Sequence, residues 1–91
     1  MKSTIQHGIN FEVALSILND MIGRTNLEKR TEQEKDHPDR SLIARLDDRF
    51  HQLWDVRLNL HYDNHAEIER VLNEYGPILK NGHSMLNGKI S

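Results

Sequence analysis

Cysteine is absent from the 91 residues. Its absence rules out a disulfide framework, thiolate zinc sites and a thiol nucleophile, and it points to a reducing compartment. Aromatic side chains are few: Phe11, Phe50, Trp54, Tyr62 and Tyr75. No apolar run approaches the ~18 residues that a membrane span needs. The opening MKSTIQHGIN lacks the apolar core of a signal peptide, so a cytosolic (cytoplasmic) protein is expected. Neither sign of charge dominates, with 14 acidic and 12 basic side chains scattered along the chain. A surface built for nucleic-acid phosphates would concentrate its lysines and arginines, and this sequence does not. There is also no glycine-rich phosphate loop and no Ser/His/Asp arrangement in a recognisable context. The reading therefore assigns no catalytic residue, no metal site and no cofactor, and expects a protein that is not an enzyme.

What remains is 36% apolar and 29% charged, a balance that suits a small, water-exposed helical protein with one modest core. A domain of this size keeps only a few kcal/mol of net stability, so a partner that buries more of its surface matters.

The periodicities predict three helices. Residues 1–9 read as a short polar arm carrying Ile5 and Ile9. Asn10 can cap a long helix over about 11–34, buried in its first half and solvated in its second, with a weak point at Gly23. DHPD, Asp36 to Asp39, breaks the chain, and Pro38 can open the second helix. Leu42, Ile43, Leu46, Phe50, Leu53, Trp54 and Leu60 then recur at three- and four-residue steps, with the Arg57 stem packing along the stripe. HYDNHAE is the second break, where Asn64 and Glu67 have capping-box spacing. Ile68, Val71, Leu72 and Tyr75 form the third stripe, which Gly76 and Pro77 are expected to end. PILK would follow as a hydrophobic turn folding back on the bundle. Short connections imply antiparallel neighbours. The expectation is an all-α protein: a small antiparallel three-helix bundle over 1–80 with a long N-terminal helix, then a flexible, disordered tail over 81–91.

Several side chains invite chemical readings. His61 and His65, with Asp63 between them, have helical metal-ligand spacing but fall on the break between helices, and no third ligand is evident. His51 reads as a boundary residue beside Phe50. Asp47, Asp48 and Asp55 alternate with Arg45, Arg49 and Arg57 as on a solvated helix face, where each ion pair is worth a few tenths of a kcal/mol. Arg24, Lys29, Arg30 and Lys35 are likewise offset by Glu28, Glu32, Glu34 and Asp36.

The informative stretch is NFEVALSILNDMIG, Asn10 to Gly23. At about 100° per residue, Phe11, Ala14, Leu15, Leu18, Met21 and Ile22 share one stripe. Val13 and Ile17 fall outside it and widen the apolar sector to roughly 200°, about twice what a surface helix needs. Val13, Ile17, Asp20 and Arg24 occupy this second sector, bordered by Glu12 and Ser16. An apolar pair flanked by an acid and an arginine suits an interface. Three things could cover it: the N-terminal arm through Ile5 or Ile9, a second copy of the chain, or a different protein whose groove accepts the helix. The six residues Glu12, Val13, Ser16, Ile17, Asp20 and Arg24 are the candidate partner-binding set.

In its length, its three predicted helices, the opening FEVALSILNDMIG and the ending AEIERVLNEYGPILK, the chain resembles the small epsilon-type antitoxins paired with zeta-type toxins, over roughly residues 10–80. The resemblance implies an inhibitor of a P-loop kinase that phosphorylates UDP-activated amino sugars of cell-wall synthesis. In that family a helix near the amino terminus lies against the toxin's nucleotide site and obstructs ATP, and the matching segment here is the first helix. It leaves open whether the complex forms one-to-one, through a homodimer or as a heterotetramer. Two alternatives stand beside it: a phage-type inhibitor of another host enzyme, and a small DNA-binding regulator. The latter would bring Arg45, Arg49, Arg57 or the Arg24–Lys35 segment to phosphates.

Overall fold

The computed structural model describes residues 4–81, and over that span the chain is three α-helices with no strand. They are α1 (Thr4–Gln33), α2 (Arg40–Asn59) and α3 (His65–Asn81). The tail expected to be disordered lies outside the described residues, apart from Asn81 at the end of α3.

Helix α1 starts seven residues earlier than the sequence suggested, so there is no arm over the described part of residues 1–9. The cause is tertiary. His7 is buried (8% exposed) at the turn between α2 and α3. Its Nε2 donates to the Tyr62 carbonyl, and its ring stacks on His65 with centroids 3.9 Å apart. Tyr62 meets it edge-on at 4.4 Å. These contacts hold the first turns in helical form, and Asn10, read as a cap, lies inside the helix and accepts from Gln6 at 2.9 Å. Gly23 does not interrupt α1 either.

The second helix is capped by Asp39, whose side chain accepts from the Leu42 amide at 3.1 Å. Pro38 thus lies outside the helix rather than in its first turn. Glu32, buried at the end of α1, accepts from the Asp39 amide at 3.0 Å and from Lys35 at 2.9 Å, which ties the two helices across the loop. Both contacts hold the Glu32 carboxyl below its usual range, the Asp39 amide most strongly.

Asn64 caps α3 by accepting from the Glu67 amide at 3.1 Å. The other half of the capping box is missing. The Glu67 carboxylate binds Arg70, and the Asn64 amide donates to His61. Gly76 and Pro77 do not end the helix, which runs on to Asn81. Ile78 and Leu79 continue the apolar spacing of the third stripe, and burial of Ile78 with partial burial of Leu79 rewards four more helical residues. PILK is therefore helix, not turn.

Helix α1 is the spine. At about 1.5 Å per residue it is roughly 45 Å long, most of the 54 Å long dimension of a molecule measuring 54 × 24 × 17 Å. Helix α2 runs back along it, held by Lys29–Asp47 at 2.8 Å and Arg57–Asn19 at 2.6 Å. Helix α3 then follows α1 again, from His65 on His7 to Gly76 opposite Ile17. The order is up-down-up. Both partners pack on α1, while the backbones of α2 and α3 stay apart and meet through side chains. Ala14, Leu18 and Met21 of α1, Leu53 of α2, and Ile68 and Val71 of α3 form the sealed centre of the core.

Candidate docking groove on the first helix

Ile5, Ile9, Val13 and Ile17 succeed one another at four-residue steps, forming a ridge of β-branched side chains along α1. Ile5 is 77% exposed, Ile9 49% and Val13 44%. Ile17 is half-buried because it packs toward α3, where its Cδ1 lies 3.8 Å from the place a Gly76 side chain would occupy. With Leu79 of α3, the residues Ile9, Val13 and Ile17 make the apolar floor and wall of a shallow groove of about 390 Å³.

Glu12, Ser16 and Asp20 form its polar border, again one turn apart. Asp20 is engaged by Arg24 at 3.3 Å, an exposed pair, whereas Glu12 has no partner among the described residues. The structure thus gathers five of the six candidate residues on one groove, and the sixth, Arg24, sits one turn beyond and meets the groove through Asp20.

Covering by an arm is excluded for the described residues, since Ile5 and Ile9 lie on α1 itself and lengthen the exposed ridge. Ile9 and Leu79 were missed as groove residues, and Ile5 as the ridge residue one turn beyond Ile9. Their signal was the four-residue step from Val13 and Ile17 back to Ile9 and Ile5. It was discounted because the helix was expected to start at Asn10.

The groove offers apolar area, a hydroxyl and a free carboxylate, which is the equipment of a docking surface rather than of bond-making chemistry. Each isoleucine or valine that a partner covers there contributes on the order of 1–2 kcal/mol. No three His, Asp or Glu of the described residues are grouped to hold a metal ion. His51 is exposed, with Nδ1 against the Asp47 carbonyl, and His65 is taken up by the stack with His7. The carboxylates with lowered pKa lie elsewhere and are structural: Glu32 at the first loop, Asp47 held by Lys29, and Glu67 held by Arg70.

Of the arginines on α2 that a DNA-binding surface would need, Arg49 is buried, and Arg57 is engaged by Asn19 and lies over the Trp54 ring. Arg45 is exposed. No described helix is long and apolar enough to cross a membrane. Compared with protein-family models, with curated proteins and with solved structures, the chain matches none.

Proposed function

We propose that this chain is a protein-binding inhibitor whose α1 groove docks on its target. The observation that carries the proposal is the ridge Ile5–Ile9–Val13, left in water on a chain with few apolar residues to spare and bordered by the unpaired Glu12. The narrower reading, supported by the resemblance of FEVALSILNDMIG and AEIERVLNEYGPILK, is the cytoplasmic antitoxin of a zeta-type P-loop kinase. Docked by its ridge beside the phosphate-binding loop, α1 would exclude the nucleotide, and Glu12 would meet basic groups left without their phosphates. The DNA-regulator alternative is less well supported, because Arg49 is buried and Arg57 is engaged by Asn19 and the Trp54 ring, which leaves Arg45 exposed on α2.

The test is growth of cells expressing the neighbouring reading frame, with and without this protein. Relief of toxicity together with a complex that copurifies is the expected result. Ile9→Asp with Val13→Asp should then restore toxicity and weaken the complex by several kcal/mol, provided the two side chains enter a desolvated centre. Ile17 is unsuitable for this purpose, because an acid there would also disturb its packing with α3. A harmless neighbour that forms no complex removes the antitoxin reading. Inhibition that survives the double substitution removes the groove.

A further inference from the structure

The first turns of α1 are tied to the bundle through one side chain. Among residues 5–10, His7 alone is buried, while Ile5, Gln6 and Ile9 are exposed. Its ring is clasped from two elements. In the turn after α2, the Tyr62 carbonyl accepts from Nε2 and the Tyr62 ring meets it edge-on. From α3, the His65 ring stacks on it, 24° from parallel and with centroids 3.9 Å apart. Phe11, one turn along α1, braces the same Tyr62 ring at 5.5 Å.

The clasp opposes charge in three ways. Protonation of both rings sets two cations face to face at that separation, where they repel. His7 is buried, and a charged imidazole there gives up its water. His65 is the first residue of α3, where the helix dipole presents its positive end. Two acids temper the cost on the His65 side: Asp63, exposed in the turn two residues before it, and Glu69, one turn beyond it on α3 and engaged within the chain. Glu67 is held by Arg70, and His61 in the same turn adds a further positive charge when protonated. The first turn of α1 carries no acid that would favour charge on His7. Acidification therefore favours an opened arrangement in which both rings reach water.

We propose that the His7–His65 stack is a pH-sensitive clasp on the docking ridge. With neutral rings it holds the first two turns of α1 in place, and Ile5 and Ile9 with them. With both rings charged it opens, and those turns fray while the core at Leu18 and Leu53 stays closed. The opening itself is independent of the inhibitor reading. Its effect on docking rests on that reading.

The test reads backbone order by ¹⁵N relaxation and Cα shifts of the full chain between about pH 8 and about pH 5.5. That window spans the ordinary imidazole range and stays above that of the carboxylates. Residues 5–10 should lose order and helical shifts on acidification, while Leu18 and Leu53 hold theirs. His65→Phe, at an exposed position, keeps a ring for the stack and removes one charge, so its residues 5–10 should stay ordered at the acid end. His61→Asn, in the same turn but outside the stack, should open as the native chain does. Order that does not change across the window, or that His65→Phe loses equally, overturns the proposal. Loss at Leu18 in step with residues 5–10 overturns it too, because that is general unfolding. Affinity for the target found by the growth assay should fall about tenfold across the same window, the worth of one covered isoleucine, and stay level in His65→Phe. Opening without that fall keeps the clasp and removes Ile5 and Ile9 from the docking surface.

Discussion

Arg49 places a cation among core side chains with two of its nitrogens unpartnered, beside the Tyr75 ring 5.7 Å from the guanidinium carbon. A buried donor left without an acceptor costs about 1–3 kcal/mol. Arg49→Met, which keeps the stem and drops the charge, should therefore stabilise the free protein by about that amount in urea denaturation. The sequence reading placed Arg49 on a solvated face because Arg45, Asp48 and Asp55 surround it. Whether it is buried depends on where α3 lies, which no local pattern on α2 encodes.

Glu32 raises the same point with the opposite sign. The Asp39 amide and Lys35 lower its folded pKa, so the stabilisation is complete above the ordinary carboxylate range and is lost as the pH falls through the lowered folded value. Asp47 and Glu67 act in the same direction. Denaturation midpoints should hold steady near neutrality and decline on acidification below about pH 4.5, and Glu32→Gln should make that decline shallower. An unchanged acid limb in Glu32→Gln would show that the loop contact does not contribute.

At the level of the helix, the places where the sequence misled are places where packing overrode a local stop. Gly76-Pro77 is a strong terminator on paper, yet Ile78 is only 5% exposed and the helix continues to bury it. His7 similarly carries α1 back past its expected cap. The signals that held are those whose partner is a few residues away: the Asn64 cap, the Leu42-to-Leu60 stripe, and the two breaks. Gly23 gives the element-scale prediction. A side chain there would meet nothing within 4 Å, and the backbone is helical. Gly23→Ala should add about 1 kcal/mol and raise the thermal midpoint by about 4–8 °C. Gly76→Ala should stabilise as well, since its methyl would meet Ile17 Cδ1 at 3.8 Å, an ordinary contact.

For the whole molecule, the three-helix architecture could be read from the stripes and the short connections, and so could the outer face of α1. Among the described residues, the last turns of α1, near Glu28–Gln33, lie beside α2 and not α3, so their amides should exchange with deuterium faster than those around Leu18, which is fully buried. Equal protection along α1 would mean that the helix opens only with the whole fold.

Because α1 is one unbroken helix, it also fixes the slant of the ridge it carries. Each four-residue step from Ile5 to Ile9 to Val13 advances about 6 Å along the axis and turns about 40° around it, so the ridge crosses the helix obliquely. A surface that seats all three side chains must follow the same slant. Inserting one alanine between Ile9 and Val13 would lengthen the interval by about 1.5 Å and turn Ile5 and Ile9 by about 100° away from Val13.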